Sequence, residues 1–87
     1  MDSSFPLPTI HLNGTDKNVL LTQHSTALNY LGMALNAFEA TTCHPRDYYV
    51  QADPQAWDKA VIKRAEIGKG LVEAMRYLET ICDHLEQ

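Results

Sequence analysis

The stretch that decides the fold is residues 53–85, DPQAWDKAVIKRAEIGKGLVEAMRYLETICDHL. It opens with Asp53, a favoured helix-capping residue, and Pro54, which suits the first helical position. A heptad-like stripe follows, apolar except at its third member: Trp57, Ala60, Arg64, Ile67, Leu71, Ala74, Leu78, Ile81 and Leu85. Four more residues flank and widen it: Val61, Gly68, Met75 and Cys82. The seven-residue period predicts a helix over about residues 54–86 that packs at a shallow angle against other helices.

A second helical pattern precedes this one, over about residues 16–42. Its apolar face consists of Leu20, His24, Ala27, Leu28, Leu31, Ala34, Leu35 and Phe38. Thr15 is expected to be the N-cap, with Asp16 favourably placed in the first turn. Pro45 stops the helix from continuing. The connection between the helices, the tyrosine loop (residues 43–53), is longer than most helix–helix connections, and long loops tend to carry function.

Residues 1–14 are predicted to form an extended N-terminal arm that ends in a turn. Pro6 and Pro8 fix their own φ angles and bias the preceding residues towards extended conformations. Asn13-Gly14 is a tight-turn pair, and residues 11–15, HLNGT, are the turn motif. Residues 1–4 are expected to be frayed. They lack the basic start of a secretory signal, so no leader peptide is expected.

These elements predict an all-α fold in which residues 15–87 form an antiparallel two-helix hairpin. A chain of 87 residues gains only marginal stability from its own core. The widened stripe of the second helix is also more than one partner helix of the same length requires. The sequence therefore predicts a homo-oligomeric helical bundle.

Charge and cysteine content limit the classes of partner and compartment. The net charge is -4, from seven basic and eleven acidic residues, which disfavours general nucleic-acid binding. Cys43 and Cys82 are expected on the order of 40 Å apart, at opposite ends of the hairpin, so an intrachain disulfide is not expected. Free thiols fit a reducing compartment. No stretch approaches the ~20 apolar residues of a membrane span, and we predict a cytoplasmic protein.

The tyrosine loop concentrates the side chains best suited to a nucleotide-like anionic ligand. Arg46 offers a planar fork for phosphate. Asp47 could hold that arginine or accept from a ribose hydroxyl or a base amine. Tyr48 and Tyr49 offer faces on which a base could stack. The structural alternative is that Arg46 and Asp47 cap helix ends while the tyrosines pack the loop onto the hairpin.

The turn motif is the second candidate binding region, through His11, Asn13 and Thr15. The backbone amides that open a helix favour an anion, and the Asn13 and Thr15 side chains could add donors. A turn followed by an N-cap explains Asn13, Gly14 and Thr15 equally well and leaves His11 without a role. The first helix holds the turn motif and the tyrosine loop on the order of 40 Å apart. If the two regions cooperate, they must do so between subunits.

Arg64 occupies a stripe position where an apolar residue is expected. One interpretation is that it pairs with a carboxylate such as Asp47 or Glu39 across an interface. Another is that it faces a cavity holding the anionic ligand. The structural alternative is a side chain that snorkels from the edge of the stripe.

Signatures of an enzyme are weak. The four histidines have no metal-ligand spacing among themselves or with the cysteines. The chain contains no phosphate loop, dinucleotide fingerprint or nucleophile elbow. An acid–base pair of His44 and Asp47 is the remaining catalytic alternative. We predict a non-enzymatic protein without a metal or cofactor.

The pattern HLNGT at residues 11–15, a helix, PRDYY at residues 45–49 and a second helix resembles small uncharacterised proteins of bacteriophages and prophages. The similarity covers about residues 9–86. By form, the chain is also similar to oligomeric phage sponges that sequester cyclic nucleotides or cyclic ADP-ribose variants, the signals of CBASS and Thoeris immunity. This resemblance implies that the protein sequesters a nucleotide-derived immune signal in the host cytoplasm. One alternative is an inhibitor or adaptor that blocks a host defence protein complex, in the manner of an anti-CRISPR. Another is a structural or regulatory helical hairpin with no ligand.

Overall fold

The computed structural model describes residues 5–87, and every regular element in that range is helical. Helix α1 spans Lys17–Glu39, a short 3-10 turn spans Pro45–Asp47, and helix α2 spans Ala56–Leu85. The two helices pack against each other as an antiparallel hairpin, since Phe38 lies near Gly68 while Gly32 lies near Met75. The expected fraying of residues 1–4 lies outside the described residues.

Helix α1 is capped by Asp16, and the expectation that Thr15 is the cap was wrong. The Asp16 carboxylate accepts hydrogen bonds from the backbone amides of Asn18, at 2.9 Å, and Val19, at 3.3 Å. These are the second and third helical residues, the usual targets of a capping side chain. A carboxylate there is stabilised by the helix dipole as well as by the two amides, which a threonine hydroxyl cannot match.

Helix α2 begins two residues later than the sequence suggested. Gln55 is the N-cap and makes no side-chain capping bond. Asp53 instead forms the turn before the helix, accepting from the Gln55 amide at 2.9 Å through its carboxylate and from the Ala56 amide at 3.1 Å through its carbonyl. The same carboxylate pairs with Lys59 at 2.7 Å, which ties the end of the tyrosine loop to the first turn of α2.

The face of α2 that meets α1 is rotated in its middle from the predicted stripe. Ile67 and Ala74 are exposed, while Gly68 and Met75 point towards α1. A straight α-helix drifts by about 20° per heptad from a strict seven-residue repeat, so the inner face moves from position 67 to 68. On α1, Ala27 and Ala34 were predicted to lie on the inner face and are likewise exposed. The residues of α1 that line the inner face are Leu20, Leu21, His24, Leu28, Leu31, Gly32, Leu35 and Phe38.

The hairpin is a rod with very little interior. Among the described residues, the buried hydrophobic side chains are Ile81, Cys82 and Leu85, all near the end of α2. The overall extents are 61 × 23 × 20 Å. The radius of gyration is 18.6 Å, whereas a compact domain of this length would have about 12 Å. Much apolar surface therefore stays uncovered in a single subunit.

The N-terminal arm packs on the same subunit's hairpin, at the end where α2 finishes. The rings of Phe5 and Tyr77 lie 5.0 Å apart between centroids. His84 Nε2 donates to the Pro8 carbonyl at 2.8 Å. These contacts bring the arm over the few buried residues of the molecule. Neither described helix is long and apolar enough to cross a membrane.

Candidate functional site

Residues 40–42 join the end of α1 to the tyrosine loop, and Arg64 of α2 holds that junction. The Arg64 Nη2 atom donates to the carbonyls of Phe38 at 3.0 Å, Glu39 at 3.2 Å and Thr41 at 3.0 Å. Its Nη1 atom donates to Thr41 Oγ1 at 2.7 Å. The guanidinium also lies 4.7 Å from the centre of the Phe38 ring. Arg64 therefore satisfies carbonyls that a helix C-terminus otherwise leaves without partners.

This arrangement explains why α1 ends at Glu39 rather than at Thr42 as expected. Thr41 Oγ1 donates to the Phe38 carbonyl at 2.6 Å, and the Thr41 amide donates to the same carbonyl at 3.1 Å. A threonine side chain that bonds the nearby backbone competes with continued helix. Within the described chain, Arg64 bonds three carbonyl oxygens and the Thr41 hydroxyl. Its pairing with the Asp47 or Glu39 carboxylate across an interface stays a prediction.

The 3-10 turn gives the centre of the tyrosine loop a defined backbone. His44 Nδ1 accepts from the Arg46 amide at 3.1 Å. The Tyr48 and Tyr49 amides both donate to the Pro45 carbonyl, at 2.9 and 3.1 Å. Nδ1 of His44 is thus engaged with the backbone, which leaves only Nε2 for a pairing with Asp47.

The two tyrosines, which the sequence presents as equivalent, have different environments. Tyr48 is half-buried against Trp57 of α2, with ring centroids 5.8 Å apart. Tyr49 is 75% exposed. Tyr48 therefore anchors the loop on the hairpin, as the structural alternative expected, and Tyr49 offers an aromatic face to a ligand.

Arg46 and Asp47 project from the loop into solvent. Within residues 5–87, neither side chain has a hydrogen-bond or ion-pair partner, so they neither cap a helix end nor pair with each other. A shallow cleft of about 240 Å³ beside the loop is lined by residues that include Cys43, Tyr48 and Lys63. The loop end thus presents two free charged groups and one free aromatic ring.

The turn motif lies at the other end of α1. The Gly14 amide donates to the His11 carbonyl at 3.1 Å and closes the turn. The His11 ring lies directly over Gly14, because a Cβ added there would come within 2.8 Å of His11 Nε2. His11, Asn13 and Thr15 are all exposed. A cleft of about 490 Å³ at this end is lined by residues 10–12 and 14–17, which include His11 and Thr15 but not Asn13.

The amides that open α1 are less available to an anion than the sequence suggested. Asp16 already occupies the amides of Asn18 and Val19 and adds a negative charge at that point. A phosphate there would meet repulsion from the carboxylate, although the helix dipole favours it. Any binding by the turn motif must therefore come from its side chains.

Cys43 and Cys82 are both free, as expected. Burial raises the pKa of the Cys82 thiol, and the nearby carboxylates of Glu86, Asp83 and Glu79 raise it further. Cys82 is therefore a neutral core side chain at pH 7. His24 is half-buried, and its Nδ1 donates to the Leu20 carbonyl at 2.8 Å within the same helix. In the described part of the chain, His, Cys, Asp and Glu form no group of three that could hold a metal ion.

The candidate residues fall into two groups at opposite ends of one subunit. The 23 residues of α1 separate the turn motif from the tyrosine loop by about 34 Å. No protein-family model, curated protein or solved structure matches this chain. What the protein binds must therefore be inferred from the residues of these two groups.

Proposed function

We propose that this chain is a non-enzymatic binding protein that acts as a homo-oligomer and sequesters a nucleotide-derived anionic signal. The observation that carries the proposal is the pair of free charged groups beside a free aromatic ring, Arg46, Asp47 and Tyr49, on a loop with a defined backbone. An exposed guanidinium fork without an internal partner is suited to phosphate. An exposed tyrosine face is suited to stacking on a base.

Each side chain of the tyrosine loop has a distinct role in this proposal. Arg46 binds phosphate, Tyr49 stacks on the base, and Asp47 accepts from a base amine or a ribose hydroxyl. Tyr48 fixes the loop through its contact with Trp57. Arg64 acts indirectly, because its donors are engaged with the end of α1 and it therefore positions the loop.

The turn motif of another subunit completes the site. His11, Asn13 and Thr15 are exposed and offer an imidazole, an amide and a hydroxyl. These groups can bond the polar edge of a base or a sugar without help from the helix amides. The biological role that fits the resemblance is that of a phage protein in the host cytoplasm, which removes a cyclic nucleotide or a cyclic ADP-ribose variant and so weakens host defence.

The test is a thermal-shift screen against cyclic dinucleotides, cyclic ADP-ribose isomers and their linear counterparts. A ligand at one hundred times its Kd adds about 2.7 kcal/mol to the stability of the folded state. Arg46→Ala should abolish the shift while the protein stays helical. Lys69→Ala is the matched control, since it removes one positive charge from an exposed position on α2. If no nucleotide shifts the melting temperature, or if Arg46→Ala binds as the wild type does, the proposal is wrong.

A second candidate function is a protein–protein inhibitor or adaptor that blocks a host defence complex. The exposure of Tyr49 and its apolar neighbour Val50 favours this candidate. A tyrosine with an arginine nearby is the typical composition of an interface hot spot. Such a protein should show no nucleotide-dependent shift, and a defined host complex should be retained by wild type but lost with Tyr49→Ala.

A further inference from the structure

Helix α1 has an unusual charge distribution for a helix of a two-helix hairpin. Between Lys17 and Glu39, its first and last residues, it has no aspartate, glutamate, lysine or arginine. Helix α2 has ten charged residues: Asp58, Lys59, Lys63, Arg64, Glu66, Lys69, Glu73, Arg76, Glu79 and Asp83. A helix that faces water on one side normally places charges there. The outer side of α1 is therefore uncharged and consists of polar and apolar side chains.

The side of α1 that faces away from α2 has an uncharged stripe of mixed polarity. Its members are Val19, Gln23, Thr26, Tyr30, Met33 and Ala37, separated by four, three, four, three and four residues. At 3.6 residues per turn these positions lie opposite the inner face of α1. Tyr30 is 64% exposed and Met33 58% exposed. This spacing is that of a seam between two helices packed at a shallow angle.

The exposed area of the chain is enough for such a seam. The accessible surface is 6661 Å², about 1,500 Å² more than the roughly 5,200 Å² expected for a compact monomer of 9.8 kDa. A stable interface buries about 800 Å² on each partner. The excess surface of one subunit therefore exceeds what one side of an interface needs.

We propose that α1 packs antiparallel against α1 of a second copy, and that this packing brings the tyrosine loop of each copy beside the turn motif of the other. An uncharged face carries no like-charge repulsion when it meets itself. The twofold axis would cross the seam at the level of residue 28, the middle of α1, so that Val19 lies opposite Ala37 of the second copy and Thr26 opposite Tyr30. In these two pairs a large side chain meets a smaller one, as close packing requires, and Met33 lies opposite Gln23.

The antiparallel direction follows from the helix dipoles as well as from size. The charged residues Lys17 and Glu39 lie on the α2-facing side of α1, away from the seam. An antiparallel pair brings opposite dipole ends together, whereas a parallel pair brings like dipole ends together. Parallel packing would also place Tyr30 against Tyr30, where two large side chains clash, and Ala37 against Ala37, where two small side chains leave a gap.

The packing of two copies shortens the distance between a turn motif and a tyrosine loop. Within one subunit they are about 34 Å apart along α1. Across a pair of packed helices the axes are only about 8–10 Å apart. The turn motif precedes α1 and the tyrosine loop follows it, so both meet their counterparts at each end of the pair. The shared ligand site rests on the proposed function, but the helix pairing does not.

The pairing is tested without any ligand by measuring the mass of the protein in solution with light scattering. Wild type should be a dimer or a multiple of one, and Met33→Lys should lower the mass while helicity is retained. Ile62→Lys is the matched control, because Ile62 is 60% exposed but lies on the charged side of α2. A monomeric wild type, or a Met33→Lys variant with the wild-type mass, would overturn the pairing.

Cysteine cross-linking tests the direction of the pair. In a Cys43→Ser background, the double variant Val19→Cys/Ala37→Cys should form covalent dimers on mild oxidation. Each single variant should not, because its new thiol faces a residue other than itself. Cross-linking of the single variants would show a parallel pair and refute the antiparallel arrangement.

A mixing experiment separates the shared site from the proposed ligand. Arg46→Ala and His11→Ala subunits should each fail to bind, and a mixture refolded together should regain part of the thermal shift, since one end of each mixed pair is intact. Dimers that bind no nucleotide would refute the proposed function and leave the pairing standing. Binding by monomeric Met33→Lys with unchanged affinity would refute the shared site and leave the proposed function standing.

Discussion

Replacing Arg64 with methionine should destabilise the protein although residue 64 lies on the apolar stripe. The substitution keeps an unbranched side chain against Phe38 but removes four hydrogen bonds to Phe38, Glu39 and Thr41. Hydrogen bonds to a charged group contribute about 1.5–3 kcal/mol each. Water can replace the guanidinium at these half-open carbonyls, so the four do not add. We expect a loss of about 2 kcal/mol in total, which lowers the melting temperature by about 8–16 °C for a domain of this size.

The assay is thermal unfolding followed by far-UV circular dichroism at one fixed protein concentration, because association would also raise the melting temperature. Lys69→Ala is the control that removes a positive charge from the exposed side of α2 and should change stability by less than about 0.5 kcal/mol. Arg64→Lys keeps the positive charge but lacks the guanidinium fork, so its melting temperature should lie between those of Arg64→Met and the wild type. If Arg64→Met has the same melting temperature as Lys69→Ala and the wild type, the hydrogen bonds of Arg64 do not stabilise the fold.

Three further perturbations test local features of the hairpin. Gly70→Ala should add about 1 kcal/mol, since nothing lies within 4 Å of its missing Cβ and glycine weakens a helix interior; a lower melting temperature would reveal a neighbour packed against this position. Asp16→Ala should remove about 1 kcal/mol by uncapping α1, and an unchanged melt would contradict the capping bonds. The hydrogen bond from Lys59 holds the pKa of Asp53 below its usual 3.8, and the Gln55 amide lowers it further. Asp53 therefore stabilises the fold above that ordinary pKa, and the contribution is lost as pH falls through the lowered value. Asp53→Asn should remove this loss of stability at acid pH, which is measured as the melting temperature against pH.

The two helices and their connection were predictable because strong local signals agree there. Pro6, Pro8 and Pro45 prevent a continuous α-helix, and the repeating apolar residues mark where the helices form. The packed hairpin of α1 and α2 confirms the all-helical part of the prediction. It was harder to predict that Asp16 rather than Thr15 is the cap, because both residue types favour capping. The outcome depends on which of the two residues has non-helical backbone angles.

The candidate site was only partly predictable, because the roles of its residues depend on contacts between distant elements. Tyr48 and Tyr49 are neighbours in sequence, and only the position of Trp57 decides which of them is covered. The cap formed by Arg64 was missed for a similar reason. One signal was present: a basic side chain near the C-terminal end of a helix interacts favourably with its carbonyls. In an antiparallel hairpin, residue 64 of α2 lies level with that end of α1.

Arg46 and Arg64 lie at the same end of the molecule, and their guanidinium groups have different surroundings. Arg64 is fixed by the carbonyls of α1, so an additional phosphate would have to compete with four existing hydrogen bonds. Arg46 has all of its side-chain donors free within the described chain, and its backbone is held by His44. Loss of ligand binding on mutating Arg64 would therefore be ambiguous, because the loop itself would loosen. Arg46 is the informative position, since its removal changes the chemistry of the loop and leaves the described internal contacts in place.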